Sequence, residues 1–362
     1  MRPVLKDVVC DRVGTELRLS LDRREDLLVE DPDGTVEKLL TLLREGTRTV
    51  PELAAALGLP AEDVGDALAA LDSYRLVEDA ERRGRFGAEE RERYFSNLAF
   101  FELFATLERG REDFQRRLRD AHVLVLGTGG LNSTTVPHLC GLGIGRLTLL
   151  DRDEVEIRNF ARQFLYRRAD LGARKVARAA AWVRAFDPAV EVDHVDAAIG
   201  GPQDVADLLD RYRPDVVMSG VDQPVDIDGW VNTACVAAKV PLVRAGMLES
   251  QGVVWSVDPG VSACWRCALD PVERAAPAEP VAVANRAIGP VVGVLGSLAA
   301  FEVLRYLTRF EPPAYAGRPA LVDFAAGCAT TQAEWTLDPD CPVCAGHRTS
   351  GDTAEPELPS SA

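Results

Sequence analysis

No stretch of this 362-residue chain approaches the roughly 20 consecutive apolar residues of a membrane helix. The longest candidate, "IGPVVGVLGSLAAFEVL", carries Gly289, Gly293 and Gly296 and is interrupted by Glu302, so a buried helix is expected there. The opening residues, Met1-Arg2-Pro3-Val4-Leu5-Lys6-Asp7, lack the apolar core of a signal peptide. No membrane partner is expected, and the expected location is cytoplasmic. In that reducing compartment the eight cysteines do not read as a disulfide framework. Positive charge is also short. Lys and Arg total 41 against 57 Asp and Glu, a net charge of -16, which disfavours a phosphate backbone, so no nucleic-acid partner is expected. What is present is an ordinary globular balance, 47% hydrophobic and 27% charged, on a chain long enough for two domains.

Residues 1–80 read as a separate unit. "LRLSL" and "DLLVEDPDG" look like two strands, the second closed by a Pro-Asp-Gly turn. Three amphipathic helices follow, "TVEKLLTLLREG", "TVPELAAALG" with Thr49 as cap and Gly58 as stop, and "AEDVGDALAALDSYRLV". This order, closed by "RLVED", is a winged-helix pattern. The third helix would read DNA, yet it carries Glu62, Asp63, Asp66 and Asp72 where base readout needs Arg, Lys, Asn or Gln. Peptide or protein binding is the preferred reading. Residues 81–120 read as a charged connector followed by one helix over "LAFFELFATLERGREDFQRRLRDA". The last residues, 349–362, are small and polar and are expected to be disordered.

From 121 to 348 strands and helices alternate. "HVLVLG", "RLTLLD", "EVDHVD", "VVMSGVD" and "PLVRAGML" read as strands of a doubly wound sheet. From "QGVVWSVDPG" onward the strands look antiparallel, so the sheet is expected to be mixed. The turn "GTGG" supplies Gly127, Gly129 and Gly130, but Asn132 stands where a dinucleotide pattern has its third glycine. Asp151 ends the second strand, where a carboxylate can accept from both ribose hydroxyls; so far NAD and ATP fit equally. The following stretch separates them, because Asp153, Asn159, Arg162, Gln163 and Lys175 exceed what a nicotinamide needs. Arg162 and Lys175 can neutralise a triphosphate, and Asp222 can hold Mg²⁺ beside it. Two Cys-x-x-Cys pairs, Cys264 with Cys267 and Cys341 with Cys344, can complete a structural tetrahedral Zn²⁺ site. Cys140 and Cys235 fall among apolar helix residues and read as core.

The motifs "GTGGLNS", "LTLLDRDEVEIRNFARQ", "GARKVARA", "VDQ", "AAKVPLV" and "GPVVGVLGSLAAFEVLRYL", in this order, resemble the ThiF/MoeB/ubiquitin-activating (E1-like) superfamily. The resemblance covers about two thirds of the chain. It implies MgATP-dependent adenylation of a C-terminal carboxylate of a peptide or small carrier protein, and a homodimer. Carried over by motif, Gly127, Gly129 and Gly130 line the phosphate turn and Asp151 takes the ribose. Asn159, Arg162 and Lys175 contact phosphate, Gln163 completes an Arg-Gln pair, and Asp222 is the magnesium-associated aspartate. The family also points to zinc at the four cysteines.

Two departures stand out. Members that pass the acyl group to a thiol keep a cysteine ahead of "GPVVGV", where this chain reads "ERAAPAEPVAVANRAI". The reaction is therefore expected to stop at the acyl-adenylate or pass to another acceptor. Members also often read Arg-Tyr-x-Arg-Gln in the entry segment, with the second arginine reaching the neighbouring subunit's site. Here Arg93-Tyr94-Phe95-Ser96-Asn97 puts Ser96 at that position, which puts turnover in question more than nucleotide binding. The N-terminal unit resembles the PqqD-like domain, which holds leader peptides as an added strand. Together the parts look like MccB-like peptide-adenylating proteins in peptide natural-product (RiPP) maturation. The alternative is an ocin-ThiF-like scaffold that presents a precursor peptide to a partner maturation enzyme, a cyclodehydratase. An NAD oxidoreductase fits only the glycine turn.

Overall fold

A computed structural model of the chain describes residues 1–22, 25–269 and 287–347. The chain divides into two compact units, Met1–Asp120 and a second beginning at Ala121.

The first unit opens with β1 (Pro3–Leu5), β2 (Val9–Val13), β3 (Glu16–Asp22) and β4 (Glu25–Glu30). Strands β3 and β4 are the two read from the sequence. The short β1 and the largely exposed β2 carry little apolar alternation, and so were not expected. Strands β2, β3 and β4 form an antiparallel sheet in that order. Helices α1 (Thr35–Glu45), α2 (Val50–Leu57) and α3 (Ala61–Ser73) follow. Helix α2 starts where expected: Glu52 Oε2 accepts from the Thr49 N–H at 2.7 Å and from its hydroxyl at 2.8 Å. Gly58, in the left-handed region, ends it. Leu17, Leu19, Leu43, Leu53 and Leu68 close the core beneath the sheet. Strand β5 (Val77–Asp79) pairs antiparallel with β1.

Residues 81–120 lie within this first unit. The single helix expected over residues 98–121 is two helices, α5 (Phe95–Glu102) and α6 (Arg111–Asp120), preceded by α4 (Ala88–Arg93). Tertiary partners capture the backbone at the break. Lys6 Nζ donates to the Ala105 carbonyl at 2.6 Å, and Leu107 N donates to Asp72 Oδ1 at 2.8 Å. Gly110 N then donates to Asp113 Oδ2 at 2.9 Å, starting the next helix. Helical periodicity runs through the break because both helices bury an apolar stripe; the partners that interrupt it lie far off in sequence.

The second unit is built on one eight-stranded sheet. Its parallel strands are β6 (His122–Leu126), β7 (Arg146–Asp151), β8 (Glu191–Asp196), β9 (Val216–Ser219) and β10 (Leu242–Leu248). Strands β11 (Gln251–Val257), β12 (Ala320–Asp323) and β13 (Ala329–Gln332) continue it antiparallel. The sheet order is β13-β12-β11-β10-β9-β6-β7-β8, the expected Rossmann-like mixed sheet. Helices α7 (Asn132–Leu142), α8 (Lys175–Phe186), α9 (Pro202–Tyr212), α10 (Ile227–Ala238), the short α11 (Trp265–Ala268) and α12 (Gly289–Thr308) belong to this unit. Cys140 and Cys235 are fully buried, as expected.

Helix α12 is more apolar than the sequence reading allowed. Within its 20 residues an 18-residue window reaches a mean hydropathy of 1.5, enough by length and composition to cross a membrane, but 67% of that window is buried in the protein. Glu302 is wholly buried on it. Its carboxylate accepts from Ser256 Oγ at 2.6 Å and from the Ala314 and Tyr315 N–H groups at 2.9 Å, so the charge is fully solvated by the fold.

Candidate functional site

Strand order reverses between β6 and β9, and a cleft of about 680 Å³ opens at the carboxyl ends of the parallel strands. Its floor is the glycine turn. Gly127 has φ +81°, and a Cβ there would meet Val221 Cγ1 at 3.0 Å, so a side chain is excluded by both backbone and space. Asn132 takes the place of a third glycine and has a visible task. Its Nδ2 donates to the carbonyls of Leu126 at 3.1 Å and Gly127 at 2.7 Å, tying the turn to the end of β6 while it opens α7.

Asp151 is organised from the same turn. Its Oδ2 accepts from the Thr128 N–H at 2.7 Å and the Thr128 hydroxyl at 2.9 Å, and its Oδ1 accepts from the Asp153 N–H at 2.8 Å. The Tyr166 hydroxyl donates to the Thr128 carbonyl at 2.7 Å; burial pushes this phenol far above its ordinary pKa. Neither Thr128 nor Tyr166 was picked out from the sequence. The only signal was their position, Thr128 inside the glycine turn and Tyr166 just past the Arg-Gln pair.

The polar wall comes from the segment after β7. Asn159 is buried and accepts the Glu156 N–H through Oδ1 at 2.8 Å. Its carbonyl takes the N–H groups of Arg162 at 3.0 Å and Gln163 at 2.9 Å, so one residue aims the next two. Arg162 lies across the glycine turn: a Cβ on Gly130 would stand 3.1 Å from its Cδ. Among the described residues its guanidinium has no hydrogen bond or ion pair. Gln163 is 4% exposed and its Oε1 has no partner among the described residues, a buried acceptor that leaves room for a donor from a ligand. Lys175, buried at the first position of α8, donates from Nζ to Asp153 Oδ2 at 2.8 Å. Asp222, in the loop after β9, is exposed and unpaired among the described residues.

The structure therefore brings Gly127, Gly129, Gly130, Asp151, Asp153, Asn159, Arg162, Gln163, Lys175 and Asp222 to one cleft. With a free cation, a buried lysine, a helix N-terminus and a free carboxylate, the arrangement suits a polyphosphate and a divalent cation. The four motif cysteines meet elsewhere in the same unit. They are buried, with all sulfur atoms within 4.8 Å of one another. Cys264 lies 3.9 Å from Cys267 and 3.8 Å from Cys341, and Cys267 lies 3.5 Å from Cys344. Four sulfurs on one tetrahedral zinc stand about 3.8 Å apart, so the set fits that ion. The segment without a cysteine, at 270–286, and the tail 349–362 lie outside the described residues. Ser96 sits on α5 in the first unit.

The ThiF family matches residues 103–343, about two thirds of the chain. The chain belongs to the ThiF family. Relatives within it include the adenylyltransferase and sulfurtransferase MOCS3 of Sus scrofa, 38% identical over 64% of this chain and 49% of that protein. Another is the molybdopterin-synthase adenylyltransferase of Escherichia coli K12, 31% identical over 64% of this chain and 90% of that protein. The chain thus spans about half the length of the MOCS3 relatives it matches, 49% of one and 58% of another. Among solved structures of similar fold, E. coli MccB superposes over 98% of this chain and 99% of its own, with a TM-score of 0.78 at 20% identity. MccB has also been crystallised with ATP. That likeness shows the E1-like fold.

Proposed function

We propose that the protein is an ATP-dependent adenylyltransferase that activates the C-terminal carboxylate of a peptide or small carrier protein as an acyl-AMP. The observation that carries this is the convergence of the ten motif residues on one cleft of a ThiF-family fold. In this reading Asp151, preset by Thr128, takes the ribose hydroxyls. The glycine turn and the N-terminus of α7 face the phosphates, and Asn159, Arg162, Gln163 and Lys175 bind them. A carboxylate oxygen of the substrate attacks the α-phosphorus in line. The phosphorus–oxygen bond to pyrophosphate breaks, and pyrophosphate leaves with the electron pair. The nucleophile is already ionised, so no base is required; positioning and charge neutralisation by Arg162 and Lys175 carry the catalysis. Asp222 would hold Mg²⁺, which when bound supplies further neutralisation of phosphate charge. The four cysteines would hold Zn²⁺ as a structural staple, with no open position for chemistry.

The finer assignment is to peptide natural-product maturation, as a homodimer, with the first unit receiving a precursor peptide. Both outer strands of its three-stranded sheet, β2 and β4, have an unpaired edge among the described residues, which suits strand addition. The same edges favour a second reading, in which the chain presents the peptide to a partner maturation enzyme and turns over slowly or not at all. Ser96 in the entry segment fits that reading.

Calorimetric titration of MgATP, with a pyrophosphate-release assay, tests the first reading. Wild type should bind with about -8 kcal/mol, a micromolar Kd. Lys175→Ala and Asp222→Ala should each weaken binding or release by at least about tenfold. Undiminished release in both variants sinks the adenylation reading. Precursor-peptide binding with no release in wild type favours the scaffold.

A further inference from the structure

The row of residues beneath the cleft continues one strand past the cleft. Register aligns Leu126 of β6 with Ser219 of β9, and Ser219 with Arg244 of β10. Residues so paired project to one face, here the face packed by α10, since Leu124, Val217, Leu242, Ile227 and Val231 share one core. The next residues, Gly127 and Gly220, line the cleft. Arg244 thus stands level with the carboxyl ends of β6 and β9, one strand beyond the Asp222 loop. It lies on the side opposite Asp151 and β8.

Arg244 is 9% exposed, and two of its three nitrogens are committed. Nε donates to Asp228 Oδ1 at 2.7 Å, and Nη1 donates to the Ala245 carbonyl. Nη2 has no partner. Unlike the buried unpartnered atoms Asn132 Oδ1, Gln163 Oε1, Ser219 Oγ and Asn232 Nδ2, it is not completely sealed from solvent. The guanidinium lies over a glycine further along β10: a Cβ on Gly246 would stand 3.1 Å from Nη1 and 3.5 Å from Nη2. Its partner Asp228 follows Ile227, which lines the cleft. Ser219 Oγ, buried on the same face in the adjacent strand, also lacks a partner among the described residues. Asp228 already balances the arginine's charge, so the free N–H matches a neutral oxygen. A second carboxylate would add net negative charge near Asp222.

We propose that Arg244 is a positioning residue for the acyl substrate, its Nη2 donating to the main-chain carbonyl oxygen of the penultimate residue. This rests on the adenylation reading, which puts the nucleoside over β7 and β8 and leaves β9 and β10 as the approach for the acyl chain. Held there, the terminal carboxylate meets the α-phosphorus at the Asp222 end of the cleft. Such a contact reads backbone and leaves side-chain choice to other residues.

The test uses acyl-sulfamoyl adenosines, stable mimics of an acyl-adenylate, titrated into the full chain. The acetylglycyl analogue carries the extra carbonyl; the pentanoyl analogue has the same length without it. Wild type should bind the acetylglycyl analogue about tenfold tighter. That advantage should vanish in Arg244→Met. It should also fall in Gly246→Ala, which keeps the charge but crowds the guanidinium, and so serves if loss of Arg244 unfolds the protein. An equal advantage in all three proteins overturns the proposal. A larger gain for a glutaryl analogue, with its free carboxylate, overturns it in favour of charge selection. If adenosine 5′-sulfamate itself fails to bind wild type, the adenylation reading falls, and this inference with it.

Discussion

Thr128 links the two halves of the cleft floor, because one residue contacts both Asp151 and Tyr166. Removing the Tyr166 hydroxyl leaves the buried Thr128 carbonyl without that donor. Tyr166→Phe should cost about 1 kcal/mol of stability and weaken nucleotide binding, because Asp151 loses its fixed neighbour; thermal melts with and without MgATP read both effects. The glycine turn, Asp151, Lys175 and Asp222 were legible in the sequence because each sits at a strand end or a helix start in an alternating pattern, and Asn159, Arg162 and Gln163 because the segment after β7 carries the family's motif. Thr128, Tyr166 and Arg244 were not. What singles them out is side-chain contacts that no spacing encodes, and a lone arginine in an apolar strand carries no motif.

Between elements, the closest fit is between the glycine turn and the segment after β7. Gly130 leaves only enough room for the Arg162 stem, so Gly130→Ala should displace the guanidinium while keeping its charge. Nucleotide affinity should fall by about tenfold, roughly one charged hydrogen bond, with little change in melting temperature. An unchanged Kd would mean that Arg162 does not face the nucleotide. The helices and parallel strands of the second unit were legible from periodicity. The break between α5 and α6 was not, because Lys6 and Asp72, which hold it, come from β1's end and from α3. A local pattern cannot register a partner that distant.

For the whole molecule, Lys6 makes the stability of the first unit depend on pH. Burial pushes its ammonium down to about 8 from 10.5. Between those values the unfolded chain binds more protons than the folded one, so stability should rise as pH climbs from 8 toward 10.5. Below 8 the cost is present in full, up to about 3 kcal/mol. Denaturant titrations of the full chain on either side of pH 8 should show this rise in wild type and lose it in Lys6→Met. Glu302 bears on an earlier moment, when the chain is still being made. By length and composition alone helix α12 could cross a bilayer, and a chain still being made exposes it before the sheet exists. A charged group near the middle of such a helix adds about 3 kcal/mol to insertion. The carboxylate that Ser256, Ala314 and Tyr315 solvate in the finished fold therefore also biases the emerging helix toward water, and toward its own sheet.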